Sequence, residues 1–159
     1  MAGALAVKVF SGTFVNKIDA KGRISVPAPF RMVIQAKGLD GVVLYPSPIG
    51  EPCIEGCGSD RLEALSDRMP DDPLPGVMED AAAHLIIGTA RQVPFDGGGR
   101  IVLPEEFLAS AGLSDKGAFV GKGRTFQIWE PKALADAQAK MMERLSAARR
   151  AELGGSESR

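Results

Sequence analysis

Short apolar runs bounded by glycine and proline recur along the chain. They are Ile24-Ser25-Val26, Val42-Val43-Leu44-Tyr45, Pro52-Cys53-Ile54-Glu55, Ile101-Val102-Leu103, Ala118-Phe119-Val120 and Thr125-Phe126-Gln127-Ile128-Trp129. Runs this short, rich in β-branched and aromatic residues, read as strands. Two stretches switch to the helical period. After Pro27 the apolar residues are Phe30, Val33 and Ile34, closed by Lys37-Gly38; after Pro104 they are Phe107, Leu108 and Ala111, closed by Gly112. Proline at the start, one apolar face and a glycine stop predict a short helix in each place.

The two helices have matching surroundings. Residues 19–30 read DAKGRISVPAPF and residues 96–107 read DGGGRIVLPEEF, at one offset of 77. Asp19, Gly22, Arg23, Ile24, Pro27 and Phe30 recur as Asp96, Gly99, Arg100, Ile101, Pro104 and Phe107, and Leu103 replaces Val26. Each half then reads strand, glycine turn, strand, helix, strand, turn, strand. A unit of about 45 residues lies below the ~60 at which a core is already marginal. The halves are therefore expected to share one core: an α+β, β-rich fold, a pseudo-symmetric β-barrel from two internal repeats.

Additional helices are expected to pack on this barrel or on a neighbouring subunit. Leu62, Leu65 and Met69 mark one between Asp60 and Met69, and Val77 to Ile87 is another, stopped by Gly88. Residues 70–76 hold three prolines and read as a loop. Pro131 opens a long helix with Leu134, Ala137, Met141, Leu145 and Ala148 on one stripe. The small, polar end, residues 154–159, is expected to be disordered.

Composition narrows the class. The chain has 159 residues, 45% hydrophobic and 25% charged, as in an ordinary globular protein. No apolar run approaches the ~18 residues of a membrane span. The first charge, Lys8, follows the initial apolar stretch, unlike a secretory leader, and two cysteines do not make a disulfide framework, so a cytoplasmic setting is expected. The net charge of −1 is uneven. Residues 1–37 carry six positive charges against one negative, residues 38–90 two against ten, and residues 91–159 eleven against nine. Such a chain can present one basic face.

The turn Asp19-Ala20-Lys21-Gly22-Arg23 is a candidate for that face. An aspartate opening a turn accepts backbone N–H bonds, and Gly22 permits positive φ. Lys21 and Arg23 then lie near the tip of the loop, with Lys17 just before it and Arg31 on the following helix. Lysine suits phosphate, and the arginine fork suits guanine O6 and N7. Equally, Asp19 could pair with Arg23 simply to brace the turn. The second copy, Asp96-Gly97-Gly98-Gly99-Arg100, keeps Asp96, Gly99 and Arg100 but has no lysine, so Arg100 is expected to be an auxiliary DNA or subunit contact.

Enzymatic readings find little support. His84, the single histidine, lies in an apolar helical stretch. There is no G-x-S-x-G elbow. Cys53 and Cys57 lack the further ligands a zinc site needs. Gly117-Ala-Phe-Val-Gly121-Lys122-Gly123 is one residue short of a phosphate-binding loop and lacks its Ser or Thr. No catalytic residue, metal, cofactor or small-molecule ligand is expected.

Taken together, the motifs resemble the MraZ family. They are Phe10-Ser11-Gly12, Ile18 through Pro27, Phe30-Arg31, Asp96 through Pro104, Ala111-Gly112-Leu113, Val120-Gly121 and Ile128-Trp129, in order over about residues 10–145. The resemblance implies two SpoVT-AbrB-like units interlocked as a swapped-hairpin barrel: repeat 1 over 10–57, linking helices over 58–88, repeat 2 over 89–133, and a C-terminal helix over 134–153. It implies a transcriptional regulator, usually a repressor, of the division and cell-wall gene cluster. Such a regulator binds short direct repeats of double-stranded DNA in its own promoter as a ring-like homo-oligomer, and is nucleoid-associated. The family's DNA-reading loop falls on Lys21 and Arg23, and Lys17 and Arg31 complete the basic set. The alternative is an AbrB-type antitoxin that binds a toxin as well as DNA.

Overall fold

A computed structural model describes residues 8–69 and 78–157. The fold is α+β, with a largely antiparallel sheet. In chain order its elements are β1 (Thr13–Lys17), β2 (Arg23–Ser25), α1 (Ala28–Gln35), β3 (Gly41–Pro46), β4 (Cys53–Cys57), α2 (Ser59–Asp67), α3 (Met78–Thr89), β5 (Arg91–Pro94), β6 (Arg100–Val102), α4 (Glu105–Ser110), β7 (Lys116–Gly121), β8 (Phe126–Trp129) and α5 (Pro131–Glu157).

Six strands form one sheet in the order β1-β7-β8-β4-β3-β5, and β2 pairs with β6 as a separate two-stranded ribbon. The large sheet is open: β1 and β5 are its outer strands and do not pair with each other. Ile18 at the end of β1 bridges Ile24 of the ribbon, and the N–H groups of Val26 and Leu103 donate to the carbonyls of Gly99 and Gly22, which continues the ribbon's own register by one pair at each end. Four pairings (β1·β7, β2·β6, β3·β5 and β4·β8) join a strand before residue 58 to one after residue 88. The centres of two of them are the like pairs Ile24↔Ile101 and Ile54↔Ile128.

The core lies between the sheet and the two short helices. Phe30 of α1 meets Phe10, Phe14, Phe119 and Phe126 with ring centroids 5.2–6.1 Å apart, mostly edge to face, the preferred arrangement of aromatic quadrupoles. Phe126 lies so close over β4 that a Cβ on Gly56 would fall 2.2 Å from its ring, so only glycine fits there. Both helices begin after proline and end alike. Leu39 donates to Ile34 O and Gly38 to Gln35 O; Leu113 donates to Leu108 O and Gly112 to Ala109 O. With Gly38 and Gly112 at φ +76° and +63°, this is the Schellman pattern that satisfies the last carbonyls.

The outer helices depart from the sequence expectation at their ends. α3 runs through Gly88 to Thr89, whose Oγ1 donates back to Leu85 O at 2.6 Å. The hydroxyl caps the final turn where glycine was expected to break it. α5 starts at Pro131 and continues through Gly154 and Gly155 to Glu157, past the expected end at 153. The proline-rich loop expected over 70–76 lies outside the described residues. Among the described residues, no helix is long and apolar enough to cross a membrane.

Candidate nucleic-acid interface

The ribbon determines where the candidate side chains point. Ile24 and Ile101 are fully buried beneath it. Since successive side chains alternate across a strand, Arg23, Ser25, Arg100 and Val102 share the outer face. Arg23 stands opposite Val102 and Arg100 opposite Ser25, so the two arginines are diagonal neighbours on that face.

Each arginine is held by the aspartate that opens its own turn. Asp19 Oδ1 accepts from the backbone N–H groups of Lys21 and Arg23, both at 2.9 Å, and Asp19 Oδ2 accepts from Arg23 Nε at 2.6 Å. Asp96 Oδ1 accepts from Gly98 and Arg100 at 2.8 and 2.9 Å, and its Oδ2 from Arg100 Nε at 2.9 Å. Bonds from the backbone of Arg23 and of Arg100, with the guanidinium contacts adding to them, hold both carboxyls below the ordinary 3.8 despite partial desolvation. The bracing expected of Asp19 and Arg23 therefore exists, but it uses Nε alone. Among the described residues, nothing hydrogen-bonds the Nη atoms of either arginine.

Gly22 and Gly99 sit in the left-handed region, at φ +78° and +76°. Their neighbours differ. A Cβ on Gly22 would meet Leu103 O at 3.3 Å and Leu108 Cδ1 at 3.6 Å. A Cβ on Gly99 would fall 2.7 Å from Arg31 Nη1 and 2.8 Å from its Cδ and Cζ. Arg31 thus lies over the second turn, with Nη1 donating to Val26 O at 2.7 Å. Leu108 is the residue of α4 that corresponds to Arg31 of α1, so one turn is backed by a leucine and the other by an arginine. Sequence spacing placed Arg31 with the first turn; the crossing of the halves carries it to the second. Lys17 and Lys21 are exposed, with no ion pair to either ammonium among the described residues.

The other candidates lie away from this face. His84 is exposed on α3. Cys53 and Cys57 are buried free thiols, pushed by desolvation up to about 12 and about 11, so they remain protonated at neutral pH. Lys122 and Gly123 belong to the turn between β7 and β8, where Gly123 exchanges backbone hydrogen bonds with Phe10.

Comparison with known proteins gives one consistent result. A family model described as "MraZ protein, putative antitoxin-like" matches residues 86–154. A Rhodospirillum rubrum protein named transcriptional regulator MraZ is 44% identical over 136 residues, covering 84% of this chain and 87% of its own. Proteins of the same name from Parvibaculum lavamentivorans and Rickettsia bellii are 45% and 40% identical; they cover 79% and 82% of this chain, and 78% and 87% of their own. The name these relatives share is that of a regulator of transcription, not of an enzyme.

Proposed function

This chain belongs to the MraZ family, and from that premise we propose that it regulates transcription by gripping double-stranded DNA with the outer face of the β2–β6 ribbon. The observation that carries this reading is the pair of diagonal arginines, each held through Nε by its own turn's aspartate, with no hydrogen bond to its terminal nitrogens among the described residues. A major groove about 12 Å wide admits a two-stranded ribbon. Arg23 then offers Nη1 and Nη2 to guanine O6 and N7, while Lys17 and Lys21 neutralise phosphates. Arg100 and Arg31 supply the second turn's share. Asp19 and Asp96 set the angle of each fork, and Gly22 and Gly99 let the turns close.

The finer organisation belongs to the same proposal. Residues 10–57 and 89–133 are two copies of one SpoVT-AbrB-like unit interlocked by swapped hairpins, with 58–88 linking them and the helix after residue 134 outside the pair. Several copies of the chain assemble as a ring, so that direct repeats about one turn of DNA apart, ~10–10.5 bp, meet several ribbons at once. Binding the second repeat is then effectively intramolecular and raises avidity ~100–10,000-fold. Occupying the promoter of its own division and cell-wall cluster would exclude RNA polymerase and repress it, and would place the protein on the nucleoid.

A footprint on the DNA upstream of its own gene tests this. The wild type is expected to protect regularly spaced short sites, and Arg23→Ala to lose them while retaining its oligomeric size. Protection by Arg23→Ala at wild-type concentration would remove the ribbon from the mechanism.

A further inference from the structure

The outer face of the β2–β6 ribbon is two-fold in its arginines and unequal in its other two side chains. The register centres on Ile24↔Ile101, a pair related by the same offset of 77 that relates Arg23 to Arg100. A local two-fold axis therefore passes through that pair. It carries Arg23 onto Arg100, and Ser25 onto Val102. Arg23 thus stands opposite a valine, where Arg100 stands opposite a serine.

Val102 is 52% exposed, between Ile101 and Leu103 at 1% and 2%. Its neighbours along β6 turn into the core, and it turns away from it. A single exposed valine is ordinary on a protein surface, but this one completes a face whose other three side chains are polar. An apolar side chain neither neutralises a phosphate nor hydrogen-bonds a base edge. In the major groove it has one group to recognise, the C5-methyl of thymine. Ser25 is the contrast. Its hydroxyl donates or accepts and so suits any base edge, and nothing hydrogen-bonds that hydroxyl among the described residues. The Ser25 carbonyl is held separately, by Asn16 Nδ2 at 2.7 Å.

We propose that Val102 is a specificity-determining residue, packing on the methyl of a thymine beside the guanine taken by Arg23. The inference rests on the ribbon reading above and names a second base that this face selects. Residues directly opposite in an antiparallel pair have Cβ atoms ~4.5–5.5 Å apart, and bases along a strand are spaced at ~3.4 Å, so the thymine lies within about two base pairs of that guanine. The contact also gives the site a direction. A ribbon with strict two-fold symmetry reads a palindrome and seats equally well either way round. Valine on one side and serine on the other make one orientation better than its reverse, which is what repeats of a single direction require.

Replacing thymine by uracil tests this, because it deletes the methyl and keeps every hydrogen-bonding atom. Duplexes of the DNA upstream of the protein's own gene, with one thymine of each repeat replaced in turn, are titrated with full-length wild type, Val102→Ser and Arg23→Ala. For the wild type, one replacement is expected to weaken binding about fourfold for each repeat engaged, the worth of one buried methyl. Val102→Ser puts into this half the residue that the other half already has, so its melting temperature and oligomeric size are expected to stay near the wild type. It is expected to bind the thymine and uracil duplexes equally. Arg23→Ala binding this DNA as tightly as the wild type overturns the ribbon reading and this inference together. With binding dependent on Arg23, a wild type indifferent to every uracil replacement overturns the Val102 contact alone, whatever the variant does. So does a replacement that costs the wild type and Val102→Ser the same.

Discussion

The turns at residues 19–23 and 96–100 share a skeleton and differ in where their charge comes from. In both, an aspartate gathers two backbone N–H groups and an arginine Nε, and a glycine at positive φ closes the loop. The first turn carries its own lysine. The second has glycines in the corresponding place and gains a cation from α1, about 70 residues earlier in the chain, as Arg31 lies over Gly99. The first turn receives Leu108 from α4 instead. A skeleton fixed by local hydrogen bonds can thus be charged from a distant segment, and a local count of lysines and arginines understates the second turn.

The largest expected effect separates the two arginines. A bidentate arginine–guanine contact carries ~1–3 kcal/mol of discrimination, so Arg23→Ala is expected to weaken specific binding roughly 5–150-fold at a single repeat. Arg100→Ala is expected to cost less, because no lysine adjoins it in its own turn. Competition between the operator duplex and a scrambled duplex, measured for both variants at fixed salt, gives the order. Equal losses would make the two turns equivalent readers and erase the asymmetry.

Next come the cations that do not read bases. Lys21→Ala is expected to weaken binding to every duplex alike and to reduce the slope of log K against log salt by ~0.9, one phosphate's worth. Arg31→Leu, which gives the second turn the backing the first already has, is expected to reduce the slope by a similar ~0.9 if its free nitrogens reach a phosphate. It also removes the bond to Val26 O. A slope unchanged by Arg31→Leu, alongside a lowered melting temperature, would make Arg31 only a prop for the second turn.

What could be read from the sequence follows the range of the interactions. The aspartate turns, the proline-started helices and the Schellman ends depend on residues within about six positions of each other, and the 77-residue offset exposes both copies. The short strands were visible for the same reason. Pairing was not, because nothing local tells β1 to choose β7 or β3 to choose β5. The sheet's open edges and the passage of Arg31 to the other turn follow from that pairing. Gly88 misled in the opposite direction: a nearby Thr89 hydroxyl satisfies the helix end, and the glycine is simply carried within α3.

The smallest expected effect tests whether the skeletons are truly alike. Both aspartate carboxyls are held below 3.8, in each case first by the backbone N–H of the turn's arginine, with a second backbone N–H and the arginine side chain adding to it. A carboxyl depressed in the folded state stabilises it above the unfolded pKa, and that contribution disappears as pH falls through the folded value. The turns are therefore indifferent to pH near neutrality and loosen only in acid, below the ordinary 3.8. Carboxyl titration by NMR is expected to place the Asp19 and Asp96 midpoints both under 3.8, with the Arg23 and Arg100 Nε–H resonances shifting over the same pH range. Both aspartates are on the surface, so the associated change in stability is expected to be slight, and Asp19→Asn should remove it from one turn without touching the other. An Asp96 midpoint at or above the ordinary value, with Asp19 still depressed, would show that the three-glycine turn does not hold its aspartate as the first turn does. Arg100 would then lose its fixed angle, and the advantage of Arg23 would come from order in the turn as much as from the neighbouring lysine.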